Sequence, residues 1–321
     1  MKKSAKIWLI IASLLVIIGA VMFAVSLIAY NGDFTKFTTA KYQTNTHEIS
    51  EEFADISIDT DTANIVFLPS DDGKCKVECY ERENENHSVE VENGTLKITY
   101  VDQREWYEYI GINFGSTRVT VYLPDSEYSS LKIKEDTGNI TLTSDFGFDV
   151  IDIKTSTGDV HCGRATAESV KIRTSTGNIE LIGIECSSLD LGASTGNITV
   201  NDAKCSGDIK IEVSTGKTKL IGVSCESLIS TGDTGDITLK KVVATEKLSI
   251  TRSTGDVTFD ACDAAEISVK TSTGDVDGTL LSSKVFITDT STGEVDVPKS
   301  TDGGRCEITT STGDIEISII E

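Results

Sequence analysis

The stretch Thr155-Ser156-Thr157-Gly158-Asp159-Val160 recurs in close variants to the end of the chain. Ten such stretches contain a Thr-Gly pair, and successive glycines are 19 or 20 residues apart. These glycines are Gly138, Gly158, Gly177, Gly196, Gly216, Gly235, Gly255, Gly274, Gly293 and Gly313. A fixed period of this size is typical of stacked structural units. The repeat therefore predicts an array of similar coils.

Each unit carries the same apolar frame around its glycine. Counted from that glycine, positions −7, −5, +2 and +4 are apolar in most units. In the unit of Gly158 they hold Ile151, Ile153, Val160 and Cys162. The exceptions include Ser230 and Thr288 at −5 and Thr218 at +2. This alternation predicts two short strands per unit, and the odd step from −5 to +2 predicts a corner at the Thr-Gly pair.

These features predict an all-β fold, a β-helix-like solenoid of about eleven coils preceded by one transmembrane helix. A pair of short strands cannot bury its own inner face, whereas stacked coils form a continuous core. Glycine supplies the backbone angles of the corner. The Asn or Asp that follows in eight units can bond to nearby backbone, and the preceding Thr hydroxyls can stack. A degenerate first coil is predicted at 56–67, with Ala63 in the glycine position.

The chain divides into five predicted segments. They are a cytoplasmic tail (1–6), a transmembrane helix (7–30), an extracellular linker (31–46), a degenerate first coil with a β-hairpin cap or insertion (47–130), and the regular repeats (131–321). Residues 7–30 lack charge and are long enough to cross a bilayer. Lys2, Lys3 and Lys6 favour a cytoplasmic N-terminus and an extracellular solenoid in the cell membrane. A cleaved signal peptide is the alternative, but its apolar stretch would be shorter.

The insertion is also predicted to be β-structure. Residues 74–80 alternate, with Cys75, Val77 and Cys79 on one face, and Asn93-Gly94 is a hairpin signal. The insertion also holds the densest aromatic cluster outside the membrane segment. We interpret this cluster as a plug over the open end of the stack, with a contact patch as the alternative. Its residues are Trp106, Tyr107, Tyr109 and Phe114.

Charge and motif content predict no catalytic residue, cofactor or metal ligand. The formal net charge of −22 disfavours nucleic acid as a partner. Aspartates along the corner favour diffuse cation binding over a calcium site, because the calcium-binding repeat is absent. The histidines His47, His87 and His161 are scattered. The eight cysteines lack zinc-site spacing and are expected to be mostly free thiols; three at position +9 are Cys186, Cys205 and Cys225.

The array, the Leu123-Pro124 strand end before it and the degenerate first coil together resemble a bacterial family, the putative-adhesin domain of unknown function found in LiaG-like envelope proteins. The resemblance covers residues 49–321. It implies a membrane-anchored or exported β-solenoid of the bacterial envelope, often linked to envelope stress, and assigns no catalytic residues.

We therefore expect a non-enzymatic, membrane-anchored cell-surface solenoid that acts as an adhesin or an envelope-stress-associated binding module. Its partners would be envelope polysaccharide or another envelope protein. A self-associating structural protein is the first alternative, because the final segment Ile315–Ile320 reads as an apolar strand without a cap. A carbohydrate-active enzyme is the second alternative.

Overall fold

The computed structural model describes residues 3–29, 31, 41–106, 115–143 and 145–320. The only helix in these ranges is α1 (Lys3–Ala29). Its apolar portion, Lys6–Ala29, is 24 residues long and is not buried against the rest of the protein. At 1.5 Å per residue it is long and apolar enough to cross a hydrocarbon layer of about 30 Å.

All other regular structure in the described ranges is β. The first seven strands are β1 (Tyr42–Ile49), β2 (Asp55–Thr60), β3 (Asn64–Pro69), β4 (Cys75–Arg82), β5 (Glu85–Glu92), β6 (Thr95–Asp102) and β7 (Arg118–Leu123). The predicted linker 31–46 ends earlier than expected, because Tyr42 already begins β1 and pairs antiparallel with β4. This edge strand lacks an apolar alternation because much of it stays exposed.

The repeats supply the remaining strands. They are β8 (Glu127–Thr137), β9 (Ile140–Leu142), β10 (Phe146–Thr157), β11 (Val160–Cys162), β12 (Ala165–Thr176), β13 (Ile179–Ile182), β14 (Ile184–Thr195), β15 (Ile198–Asn201), β16 (Lys204–Cys205), β17 (Ile209–Thr215), β18 (Thr218–Ile221), β19 (Ser224–Thr234), β20 (Ile237–Lys240), β21 (Val243–Thr254), β22 (Val257–Cys262), β23 (Glu266–Lys270), β24 (Val276–Leu280), β25 (Lys284–Thr292), β26 (Val295–Asp296), β27 (Gly304–Thr312) and β28 (Ile315–Ile319).

Parallel pairing in register builds these strands into a β-solenoid, which confirms the predicted fold class. Ile151 of β10 lies between Leu131 of β8 and Val170 of β12, and all three side chains are buried. The first coil is β2 with β3, where Ile56 pairs with Leu131. The solenoid has about nine turns, slightly fewer than the predicted eleven coils.

The Thr-Gly corner is a ladder of glycines in close contact. In most of these glycines φ lies near +145°, a region that L side chains rarely adopt; it is +145° in Gly196. A Cβ built on Gly196 would lie 1.9 Å from the carbonyl oxygen of Gly177 in the neighbouring coil. A Cβ built on Gly138 would likewise lie 2.0 Å from the carbonyl oxygen of Ala63. Ala63 therefore takes the place of the corner glycine in the first coil, as predicted. Coil spacing at the corner therefore depends on the missing side chain.

Two polar ladders flank the glycines. The Oδ1 atom of one Asn or Asp accepts a hydrogen bond from the backbone N–H of the next, as from Asp159 N to Asn139 Oδ1 (2.9 Å). The hydroxyls that reach the glycine carbonyls come from position −3, as from Thr310 Oγ1 to Gly274 O (3.1 Å). The threonines at −1 were expected to stack their hydroxyls along the corner. They do not stabilise it in this way, because Thr157 at −1 is exposed whereas Thr155 at −3 is buried.

A buried arginine accounts for two exceptions to the apolar frame. The Nη2 atom of Arg252 donates to Ser230 Oγ (2.9 Å) and Thr218 Oγ1 (3.2 Å), and Nη1 donates to Thr251 O (3.0 Å). Gly232 leaves the space, because a Cβ there would lie 2.9 Å from Nη1. Burial lowers the pKa of Arg252 to about 10. Ser230 and Thr218 are therefore polar because they solvate a cation inside the core.

The spatial order of the coils differs from their chain order at the C-terminal end. The last coil, β27–β28, pairs on one side with β23–β24 and on the other with β25–β26. The expectation that Ile315–Ile320 forms an uncapped end is therefore wrong, since Ile315 is buried between two coils. The terminal coil is β25–β26, whose strands pair on one side only within the described residues. The opposite end is permuted similarly, because β2–β3 lies between β6–β7 and β8–β9.

We expect Gly196→Ala to lower the free energy of unfolding by more than about 3 kcal/mol, because the Cβ clashes with a backbone carbonyl and φ is positive. Chemical unfolding of the full chain in detergent, followed by circular dichroism, measures this loss. The matched control is Gly147→Ala, where the nearest atom to the new Cβ is a side-chain oxygen 3.6 Å away and φ is not positive. Equal stability of the two variants would contradict the corner model.

Candidate functional site

A cap of antiparallel strands covers the N-terminal end of the solenoid. β6 and β7 pair in parallel with the first coil, and from them the sheet continues antiparallel through β5 on one side and through β4 and β1 on the other. The Asn93-Gly94 hairpin between β5 and β6 is confirmed, with both residues at positive φ. The cap is the most irregular described part of the fold, and a binding site is therefore most expected there.

A groove of about 930 Å³ opens where the end of β1 meets the turn before β4. Its walls combine carboxylates, two lysines and three aromatic rings. The lining residues that carry charge or aromatic character are Glu48, Glu51, Glu52, Phe53, Asp71, Asp72, Lys74, Lys76, Tyr122 and Tyr128. Five acidic residues against two lysines leave a net charge of −3, from −5 and +2. The groove therefore favours a cationic ligand.

One wall is a tight turn held by its own side chains. Ser70 Oγ donates to Asp72 Oδ1 (2.8 Å), and the backbone N–H of Lys74 donates to the same oxygen (3.0 Å). Gly73 within the turn has φ of +72°. The hydrogen bond from Lys74 is the main cause that holds the pKa of Asp72 below its usual value. Asp72 is therefore fixed in place and ionised at neutral pH.

The floor is aromatic and continues onto the solenoid. The rings of Phe53 and Tyr128 stack with centroids 5.9 Å apart, and Tyr128 contacts Phe148 at 5.5 Å. Tyr128 donates its hydroxyl to Pro124 O (3.0 Å), and burial raises the pKa of that hydroxyl. Phe53 is only half-buried, so part of the apolar floor can meet a ligand. Aromatic rings of this kind pack against apolar groups, and the faces of the rings attract cations.

Lysine charge within the groove is partly neutralised. Lys76 Nζ lies 2.8 Å from Glu78 Oε1 and 4.2 Å from the centroid of the Tyr122 ring. Tyr122 in turn donates its hydroxyl to Glu78 Oε2 (3.2 Å). The hydrogen bond to Glu78 is the main cause that raises the pKa of Lys76. With Lys76 engaged by Glu78, the rim carboxylates, which form no ion pair among the described residues, dominate the electrostatics.

Two smaller cavities adjoin this groove along the first coils. One, of about 310 Å³, shares Tyr128 and includes Phe148 and Cys186; the other, of about 640 Å³, shares Ser126 and includes Arg164. All three cavities lie where one coil passes into the next, a position that holds small residues such as Gly147. A ligand longer than the cap groove could therefore extend along the solenoid.

The predicted aromatic contact patch is not part of this groove as described. Trp106 is exposed, at 75% of its surface, and does not line the groove. Tyr107, Tyr109 and Phe114 lie outside the described residues. The patch therefore stays a prediction. Sequence reasoning missed the groove because its residues come from three separated segments. The available signal was the acidic pairs Glu51-Glu52 and Asp71-Asp72, together with Phe53.

A buried carboxyl joins the first coil to the regular repeats. Glu135 is 1% exposed, and its Oε1 accepts hydrogen bonds from Ala63 N (3.0 Å) and Thr137 N (3.2 Å). Its Oε2 has no partner in the described residues, and neither has Oγ1 of Thr155, the residue paired with it in the next coil. Burial raises the pKa of Glu135 to about 7, against the lowering effect of the Ala63 N–H.

A second polar cluster lies inside the cap. Glu81 Oε1 accepts from Asn45 Nδ2 (2.6 Å), and Oε2 accepts from the backbone N–H of His87 and lies 2.7 Å from His87 Nδ1. His87 Nε2 contacts Thr60 Oγ1 (3.2 Å), and Cys79 completes the cluster. The prediction of scattered histidines missed this arrangement, because the turn between β4 and β5 brings His87 back onto Glu81.

Comparison with protein families decides the classification. The Toastrack DUF4097 model matches residues 53–220 and 203–321, which together cover the cap and the repeats. The chain belongs to the Toastrack DUF4097 family. This Toastrack chain matches no curated protein. The predicted resemblance to a family of putative adhesins of unknown function is thereby confirmed.

Solved structures share the Toastrack fold at low sequence identity. A "putative adhesin" from Parabacteroides distasonis is 15% identical with a TM-score of 0.52, over 87% of this chain and 98% of that chain. A "putative lipid binding protein" from the same organism is 16% identical with a TM-score of 0.50, over 86% and 97% of the two chains. At these identities the likeness shows the fold alone.

Glu135→Gln should stabilise the protein relative to wild type at pH 8 by roughly 1–3 kcal/mol and change little at pH 5. The folded pKa of Glu135, about 7, lies above the unfolded value of 4.5, so the folded state binds this proton more tightly. Its stabilising effect is complete below pH 4.5 and is lost as pH rises through 7. Thermal unfolding between pH 5 and 8 measures the difference.

The control for this measurement is Asp136→Asn, the exposed carboxyl beside Glu135. Its effect should not grow between pH 5 and pH 8. A difference between Glu135→Gln and wild type that stays constant with pH would show that Glu135 is ionised in the folded state throughout.

Proposed function

We propose that this protein is a non-enzymatic, membrane-anchored binding module of the bacterial envelope that takes a cationic, partly apolar ligand in the cap groove. The observation that carries the proposal is the groove itself, in which an acidic rim surrounds an aromatic floor. Along the array, by contrast, the repeated polar side chains are engaged in the corner ladders. Binding chemistry is therefore concentrated at the cap.

The position of the groove supports a role near the membrane surface. Only the residues between Ala29 and Lys41 connect α1 to the first described strand, and an extended chain of this length reaches at most about 40 Å. The cap thus operates within this distance of the bilayer, with α1 as a single-pass anchor and the solenoid on the extracellular side. A suitable ligand is a basic segment of another envelope protein, whose lysine or arginine stems pair with the rim while its apolar side chains meet Phe53 and Tyr128.

Self-association is a second candidate function, favoured by the terminal coil. The outer edges of β25 and β26 pair with no strand among the described residues, and Ile287 and Val295 are 48% and 44% exposed there. An uncovered edge with apolar side chains can pair with the same edge of a second copy. The carboxylates of Asp289 and Asp296 on these strands, and of Glu294 at the corner between them, oppose this pairing at low salt. Association should therefore strengthen as ionic strength rises.

The groove proposal predicts that a fluorescent lysine- and leucine-rich peptide binds the full chain in phosphatidylcholine nanodiscs. A counterpart with glutamate in place of lysine should bind much more weakly. Glu51→Gln with Glu52→Gln should weaken binding of the basic peptide by about 5- to 10-fold, because two rim charges are removed. Fluorescence anisotropy at two salt concentrations measures both effects.

The matched control is Glu226→Gln with Glu246→Gln, which removes two exposed charges from the array and keeps the same net charge as the groove variant. If both double variants weaken binding equally, the peptide recognises overall charge and the groove is not the site. Equal binding of the acidic and basic peptides would show that charge does not select the ligand, which would also contradict the proposal.

For self-association, Ile287→Lys should convert wild-type dimers into monomers. Light scattering of the detergent-solubilised full chain at rising concentration measures this change. Ile229→Lys is the control, because Ile229 is similarly exposed at 39% but lies in the middle of the array. A monomeric wild type at high concentration and high salt would contradict the second candidate.

A further inference from the structure

The buried cluster inside the cap offers a set of metal ligands that is not needed for binding in the groove. Ligand atoms of Cys79, Glu81 and His87 all lie within 4.8 Å of one another. This is the only such group of three His, Cys, Asp or Glu residues within the described ranges. Thiolate, imidazole and carboxylate are the three ligand types that Zn²⁺ takes in proteins.

The charge balance of the cluster also indicates a cation. Glu81 is 0% exposed, and no lysine or arginine pairs with it among the ion pairs of the described residues. Its hydrogen-bond donors are an amide, a backbone N–H and an imidazole, so His87 is the one group that could offset its charge. A buried carboxylate with so little compensation is costly, and a bound divalent ion would remove that cost.

The hydrogen bonds orient the imidazole for ligation. The Glu81 carboxylate can only accept, so Nδ1 of His87 donates to it. In a neutral ring the lone pair then lies on Nε2, beside the Thr60 hydroxyl. A carboxylate that fixes the tautomer of a histidine in this way is the usual partner of a metal-bound imidazole. Thr60 belongs to the first coil and Asn45 to β1, so an ion here would hold the first coil and β1 against β4 and β5.

We propose that Cys79, His87 and Glu81 form a structural zinc site in the cap. Cys79 and His87 supply direct ligands, and Glu81 either ligates or holds His87. Binding replaces the thiol proton of Cys79 with Zn²⁺ and releases that proton to solvent.

The test uses the reduced, metal-free full chain in detergent, titrated with Co²⁺ as a spectroscopic substitute for Zn²⁺. We expect one equivalent to produce a thiolate-to-cobalt charge-transfer band together with the visible bands of tetrahedral cobalt. Zn²⁺ should bleach both bands and raise the melting temperature. Cys79→Ala should abolish the charge-transfer band, and His87→Gln should weaken Co²⁺ binding by at least about 10-fold.

Cys162→Ala is the matched control, because Cys162 is equally buried but lies in the array outside the cluster. It should keep the band and the zinc-induced rise in melting temperature. Circular dichroism checks that each variant is folded, and native mass spectrometry of wild type counts bound zinc independently of any variant. Absence of the charge-transfer band in wild type, or its persistence in Cys79→Ala, would leave Glu81 and His87 as a metal-free pair and overturn the proposal.

Discussion

The close approach of glycine to a carbonyl at each corner is the contact on which the solenoid depends. A Cβ built on any corner glycine would lie about 2 Å from the carbonyl oxygen of the neighbouring coil, which is far too close for two atoms that are not bonded. Only a residue without a side chain permits that distance together with a positive φ. The corner fixes where each strand begins, and the parallel register of the apolar side chains follows from it. The Asn and Asp ladder then supplies the acceptor that each following backbone N–H requires.

The repeat determines how much of this fold could be predicted from sequence. The period, the two strands per coil and the place of Ala63 at a corner normally taken by glycine are local features. Each could be predicted from residue spacing. The coil order at the C-terminal end could not be predicted from residue spacing, because coils with the same apolar frame do not specify which coil stacks on which. Ile315 was therefore expected at the end of the stack, although it lies between two coils.

Long-range contacts explain what the sequence could not show. Ser230 and Thr218 break the apolar frame for a reason that residue spacing does not show. Arg252 lies one coil beyond Ser230 and two coils beyond Thr218, and it donates hydrogen bonds to both. The groove and the Cys79–Glu81–His87 cluster arise in the same way, from turns that bring separated segments together. In a repeat protein, irregular residues are thus the informative ones, and their meaning depends on neighbours that the period does not specify. Chemistry at the cap follows this rule, since the cap is where the repeat is interrupted.

The permuted coil order has a consequence for synthesis of the chain. The coil β25–β26 leaves the ribosome before β27–β28, yet the later coil occupies the position between it and β23–β24. This end of the stack therefore cannot close until β27–β28 has been synthesised. A chain that stops early leaves the terminal coil without its partner strands. The fold thereby couples closure of this end of the solenoid to synthesis of β27–β28.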